Sequence, residues 1–197
     1  MQWERPRMIG ELAPSGIAIG VDVEAFAIIG FDARRRDVSF PLAGKTLAQA
    51  LLWADSRYGT PRGARLRGYD LPVSPLRTGA AFAGYPDQLA ALSRWYQLGY
   101  EVVAAVHGAG DIRIWPHHFD LGALVDGVGI GLSPGDRYYD EPYFYVTPRT
   151  GDTRIPTLPH GRWRTDEWTG AVLTASEVGD DPGRAHAFTT AAVSALR

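Results

Sequence analysis

Hydrophobic residues recur at every second position from Ile17 to Val23, where Ile17, Ile19, Val21 and Val23 alternate with Ala18, Gly20 and Asp22. Side chains of an extended chain switch face at each residue, so this spacing predicts a strand with one apolar face. Ala25 to Phe31 is apolar at nearly every position and predicts a more central strand. Asp32 to Asp37, with Arg34-Arg35-Arg36, reads as a solvated charged turn returning into a third strand through Val38, Phe40 and Leu42. The period then lengthens. Thr46 and Gln49 form a capping-box pair, Leu47, Leu51 and Ala54 make a helical stripe, and Gly59 stands where a terminating glycine belongs. Residues 60–85 are an irregular connection rich in Gly and Pro. A second helix opens at Pro86 and Asp87, and Leu89, Leu92, Tyr96, Val103 and Val106 carry it through Gly99 to His107, with Gly108 ending it. One interior glycine costs only about 1 kcal/mol, so a single helix is favoured over a helix followed by a strand.

The remainder repeats the plan of strands followed by a helix. Strands are predicted at Asp111–Trp115, Gly127–Ser133, Pro142–Pro148 and Thr169–Thr174. The last helix begins at Asp181 and Pro182 and buries Ala185, Phe188, Ala192 and Leu196. The expected fold is therefore α+β, a mainly antiparallel sheet with three helices packed against it, because the strands follow one another through hairpin-length loops. The chain is expected to form one domain over residues 1–197, with two sub-halves joined through 60–85. In Gly127–Ser133 the face opposite Val128, Ile130 and Leu132 consists of Gly129, Gly131 and Ser133. Such a face accepts either a ligand or large rings from the next strand, where Tyr143, Phe144 and Tyr145 stand.

Composition narrows the chemistry. The 197 residues contain no cysteine, which excludes disulfides, thiolate metal sites and thiol catalysis. Twenty basic residues against 22 acidic ones leave a net charge of −2, without the basic surplus that nucleic acid or an anionic membrane requires. The opening MQWERPRMIGELAP has no apolar core of a secretory signal, and no apolar run is long enough to span a bilayer. A cytoplasmic location is expected. Lys45 is the one lysine among the basic residues, a bias toward arginine that reads as GC-rich, bacterial coding.

Three familiar motifs fail on physical grounds. Gly44-Lys45-Thr46 ends like a phosphate-binding loop, but Ser39 stands where that loop needs glycine, and Phe40-Pro41-Leu42-Ala43 cannot wrap N–H groups around phosphates. Gly131-Leu132-Ser133-Pro134-Gly135 spells the serine-hydrolase elbow, yet the residue that must donate its N–H to the oxyanion is Pro134, which has none. Gly127, Gly129 and Gly131 have the wrong spacing for a dinucleotide fingerprint.

The densest cluster of polar and aromatic side chains is Trp115-Pro116-His117-His118-Phe119-Asp120, with Asp136, Asp140 and Glu141 shortly after. Imidazole and carboxylate together suit Zn²⁺, Mn²⁺ or Fe²⁺. His118 and Asp120 share one side of an extended chain, and His117 joins them if Pro116 bends it. Further ligands would come from Glu141, Asp140 or His160.

These segments carry a resemblance. Trp115 to Asp120, Gly129 to Asp136 (GIGLSPGD), Tyr139 to Val146 (YDEPYFYV) and Trp168 to Leu173 (WTGAVL), with Tyr69-Asp70-Leu71-Pro72 before them, resemble an uncharacterised family of bacterial proteins, a domain of unknown function. The resemblance implies a bacterial cytoplasmic protein and brings no reaction, cofactor or partner with it. Three functions stay open. The first is a small-molecule-binding domain whose pocket is lined by Trp115, His117, His118, Asp120, Tyr143 and Tyr145 beside Gly129 and Gly131. The second is a metal-dependent, hydrolase-like enzyme with His117, His118, Asp120 and Glu141 as ligands and a bound water as nucleophile. The third is a protein-interaction or self-association module using some of the 6 Trp, 9 Tyr and 7 Phe rings.

Overall fold

The computed structural model describes residues 1–11, 16–32, 37–58, 74–116, 118–149, 155 and 157–197. The chain divides into two compact units, Met1–Ser93 and Arg94–Arg197. The charged turn with Arg34-Arg35-Arg36, Gly59 and Tyr69-Asp70-Leu71-Pro72 lie outside the described residues, as does His117.

The first unit is an antiparallel meander of five strands in sequence order: β1 (Gln2–Glu4), β2 (Arg7–Ile9), β3 (Ile17–Asp22), β4 (Ala27–Asp32) and β5 (Asp37–Pro41). The short N-terminal pair was not expected, although Trp3 pairs with Met8 and both are buried. The predicted strand at 17–22 is present, but its less covered face is the apolar one. Ile19 is exposed while Ala18 and Asp22 are buried. Backbone pairing decides this: a Cβ on Gly20 would stand 2.4 Å from Met8 O, and Asp22 pairs with Arg7 at 3.4 Å and accepts the Ala25 N–H at 2.8 Å. Helix α1 (Leu47–Tyr58) starts as expected, with Gln49 Oε1 accepting the Thr46 N–H and Thr46 Oγ1 accepting the Gln49 N–H. Its stripe differs: Ala50 is the buried position, and Leu51 and Leu52 are exposed. A short 3-10 turn, Pro75–Thr78, lies in the irregular connection.

Helix α2 (Pro86–Ala104) passes through Gly99 as predicted and stops three residues before His107. Its Ser93 belongs to the first unit, where the hydroxyl donates to Glu24 Oε1 at 2.6 Å. From Arg94 onward it belongs to the second unit, where a Cβ at Gly99 would meet Leu132 at 2.8 Å, so glycine permits the close approach.

The second unit holds six antiparallel strands: β6 (Arg113–Ile114), β7 (Leu121–Val125), β8 (Val128–Ser133), β9 (Tyr143–Thr147), β10 (Arg162–Arg164) and β11 (Gly170–Thr174), in the order β10-β11-β9-β8-β7-β6. The register makes its two faces unlike. Leu121, Ala123, Ile130, Leu132, Phe144, Val146, Ala171 and Leu173 pair across strands on one face, all of them buried. Gly122, Gly129, Gly131, Ser133, Tyr143, Tyr145, Thr147 and Thr174 share the other. Helix α4 (Gly183–Leu196) packs against β8, β9 and β11 and buries Phe188, Ala192 and Val193. Pro182, expected as the first helical residue, stands at its N-cap, and Asp181 before it accepts the Gly183 N–H on Oδ1 at 3.0 Å.

The α+β mix is present and both sheets are antiparallel, but among the described residues there are four α-helices rather than three. The additional one, α3 (Ala175–Val178), is a single turn held by carboxylates. Glu177 Oε2 accepts the Thr174 N–H at 2.8 Å, and Glu141 Oε2 accepts the Ser176 N–H at 2.7 Å. Four residues show no hydrophobic period, so pattern could not reveal it. Among the described residues no helix is long and apolar enough to cross a membrane.

Candidate functional site

The segment Trp115–Asp120 closes the hairpin between β6 and β7. Two backbone bonds pinch it: Trp115 N–H donates to Asp120 O at 2.9 Å, and Phe119 N–H donates to Trp115 O at 2.8 Å. Phe119 has a φ of +58°, a left-handed conformation that costs a side-chain-bearing residue about 1–2 kcal/mol. A buried tyrosine holds it there. Tyr96 of α2 is 1% exposed, and its hydroxyl donates to the Phe119 carbonyl. The rings outside this frame face solvent, Trp115 at 44% and Phe119 at 43% exposure, and His118 is exposed beside them.

Beneath the tip lies Asp120. The Tyr145 hydroxyl donates to its Oδ2 at 2.6 Å, the one hydrogen bond this side chain receives among the described residues. To reach it, the Tyr145 ring crosses two strands. A Cβ on Gly131 would stand 2.5 Å from the Tyr145 hydroxyl, and one on Gly122 2.9 Å from it. Gly129 is covered separately, with Thr147 Oγ1 2.4 Å from the place of its Cβ. The glycine face is thus filled by side chains of the neighbouring strand, and the glycines admit Tyr145 and Thr147. Tyr143, two residues away on β9, has its ring centre 6.4 Å from that of Tyr145 and donates its hydroxyl to Asp136 Oδ2 at 2.8 Å.

Asp136 and Glu141 are engaged in loop structure. Asp136 Oδ1 accepts the N–H groups of Tyr138 and Tyr139, and Ser133 Oγ accepts that of Gly135, so Ser133-Pro134-Gly135-Asp136 is a turn. Glu141 holds Ser176 through both carboxylate oxygens. Burial works against ionisation of Glu141, but the side-chain and backbone donors of Ser176 outweigh it and hold the carboxyl below the ordinary range. Among the described residues no three His, Asp or Glu side chains could hold a metal ion together; His118, Asp120, Asp140, Glu141 and His160 do not form such a group.

Sequence pattern assigned Tyr96 to the buried stripe of a helix, which is correct, and missed its hydroxyl. A tyrosine on a buried face needs an acceptor, and that requirement is the signal that could have linked it to the hairpin.

Three phenols surround the Asp120 charge. Burial first, and the Asp120 carboxylate next, push the Tyr96 phenol above its ordinary range. The same two causes, with the hydrogen bond to Asp120, raise Tyr145, while burial and the bond to Asp136 raise Tyr143. All three stay protonated donors at physiological pH. In the unfolded chain phenols ionise near about 10. Because their folded values lie higher, the stability they supply is complete below that pH and is lost as pH climbs toward the folded values. Melting temperature should therefore hold level from pH 7 to 9 and fall above pH 10. Tyr145→Phe should flatten that fall, and an equal alkaline slope in the variant would contradict the assignment.

The first unit bears a second surface feature, an open groove of about 550 Å³ lined by Phe40, Lys45, Gln49, Leu52, Trp53 and Ser56. Lys45 is the one ionisable group in that lining. Comparison of the chain with protein-family models, with curated proteins and with solved structures finds no match to any of them.

Proposed function

We propose that this protein binds a small organic molecule at the closed end of the β6–β7 hairpin. Trp115 and Phe119 supply ring faces, His118 an imidazole, and Asp120 a carboxylate acceptor. The observation that carries the reading is the pairing of a strained, doubly anchored hairpin with exposed rings. Phe119 is kept at positive φ by Tyr96, and Asp120 is fixed by Tyr145, while Trp115 and Phe119 remain open to solvent. Residues held in costly conformations by buried partners are characteristic of ligand clamps. Tyr143, Tyr145, Gly129 and Gly131 act in this reading as the floor that fixes Asp120 and take no part in contact. Preorganisation spares a ligand the entropy of ordering its site.

A thermal-shift screen of aromatic amines, nucleosides and sugars tests the proposal. A ligand at 100 times its dissociation constant stabilises the native state by about 2.7 kcal/mol, a rise of roughly 5–10 °C for a chain of this size. Trp115→Ala and Asp120→Asn should each weaken the compound found by at least about tenfold. Leu124→Ala, an exposed position on the same sheet, should leave it unchanged. Binding that survives in Trp115→Ala, or a screen in which nothing binds, overturns the reading.

A further inference from the structure

At the sheet edge opposite the hairpin, strand β10 carries Arg162 and Arg164 on one face and Trp163 on the other. Each of the two guanidiniums meets a tyrosine from the loop between β8 and β9. Arg162 Cζ lies 5.6 Å from the centre of the Tyr139 ring, and Arg164 Cζ lies 4.5 Å from that of Tyr138. Tyr138 receives a second cation, Arg137, at 4.7 Å, and the ring of Trp168 packs edgewise against it with centres 6.3 Å apart. Two positive charges therefore share one aromatic ring.

Their counter-charges are uneven. Arg162 pairs with Glu177, and Arg137 pairs with Glu167 at 3.3 Å. Arg164 is placed differently: its Nε donates to the backbone carbonyl of Asp166 at 3.1 Å, and among the described residues no carboxylate pairs with it. A ring contact and one backbone bond thus orient this guanidinium without neutralising it. Glu167, just after Asp166, adopts a φ of +61°, and the Trp168 N–H also donates to the Asp166 carbonyl at 2.6 Å.

We infer that Arg164, with Arg137 on the same tyrosine, forms a subsite for the phosphate group of a small molecule. A guanidinium fixed in its plane presents two parallel donors that match a tetrahedral oxyanion. A dianion is attracted to a guanidinium without a paired carboxylate more strongly than a monovalent anion is, and the Arg137 charge on the same ring adds to that attraction. The site is independent of the hairpin at β6 and does not rest on the function proposed for it.

Calorimetric titration of the full chain with inorganic phosphate, at constant ionic strength maintained with chloride, tests this. Saturable binding is expected. Arg164→Gln should weaken it by at least about tenfold, and Arg137→Gln by a smaller factor. Arg113→Gln, which removes an arginine paired with Asp111 at the far edge, should change nothing. Because Arg137 is largely exposed, its replacement reports on binding even if Arg164→Gln disturbs the loop. Absence of saturable binding by the unaltered protein, retention of full affinity in Arg137→Gln, or equal losses in all three variants would each overturn the inference.

Discussion

Gly131→Ala is expected to destabilise the protein by roughly 3 kcal/mol, the upper part of the range for forcing atoms into a packed interior. Its Cβ would stand 2.4 Å from the Leu121 carbonyl oxygen and 2.5 Å from the Tyr145 hydroxyl, in a central strand with both neighbours paired. The first of these atoms is backbone and cannot swing away. For a chain of this length the loss should lower the melting temperature by roughly 10 °C. Two combinations separate backbone from side chain. Adding Tyr145→Ala to Gly131→Ala clears the ring but not the carbonyl, so stability should not return. At Gly129 the closest atom is Thr147 Oγ1, at 2.4 Å, and the next is 3.8 Å away. Gly129→Ala should accordingly be milder, and Thr147→Ala should rescue it. Differential scanning calorimetry of the four variants decides the matter. Melting of Gly131→Ala within about 2 °C of the unaltered protein would show that β7 and β8 can separate to admit a methyl group.

The same two strands show where pattern reading succeeded and where it did not. The alternation of Val128, Ile130 and Leu132 with glycines identified β8 and its two faces. Strand β7 was missed, although Asp126-Gly127 carries one of the strongest short-range hairpin signals. Both residues have positive φ, +54° and +84°, as the two-residue turn between Val125 and Val128 demands. Leu121-Gly122-Ala123-Leu124-Val125 hides its period because Gly122 is small and Leu124, on the face opposite Ala123, is apolar yet exposed. Strands of three residues, such as Gln2–Glu4 and Arg162–Arg164, are too short for periodicity to register at all. The residues at helix starts fared better because their signal is local. Thr46 with Gln49 and Asp181 with Gly183 make bonds over two or three residues, and such geometry needs no tertiary partner.

Contacts across the fold were less legible. The run from Trp115 to Asp120 drew notice for its composition, but nothing in its spacing reveals that Tyr96 and Tyr145 hold it from 23 and 25 residues away. The pairing of a glycine strand with an aromatic strand predicted either a slot or a ring cover, and the long reach of tyrosine decides between them. Its hydroxyl finds a carboxylate only by lying flat over Gly131 and Gly122. Glu141 illustrates the opposite error. Sequence proximity grouped it with the histidines, whereas its carboxylate closes the first turn of α3 from 35 residues away.

Tyr96 concentrates both the stability and the proposed activity of the second unit, and its replacement separates them. Tyr96→Ala removes one of the largest fully buried side chains and should cost about 3–5 kcal/mol, as truncation of a core aromatic does. Tyr96→Phe keeps the ring and deletes the donor to Phe119, at an expected cost of about 1–3 kcal/mol for a carbonyl left without its partner. The informative reading is local. With the carbonyl released, Phe119 loses one of the bonds that hold it at positive φ, and the hairpin should open more often than the sheet below it. Amide hydrogen exchange at Trp115 and Phe119, whose N–H groups close the hairpin, should then accelerate more than exchange at Ile130 or Val146 in the sheet interior. Any ligand of the tip should lose affinity in proportion to that opening, because only the closed hairpin is competent to bind. If exchange instead rises uniformly, Tyr96 serves the core alone and the hairpin owes its shape to Asp120 and Tyr145.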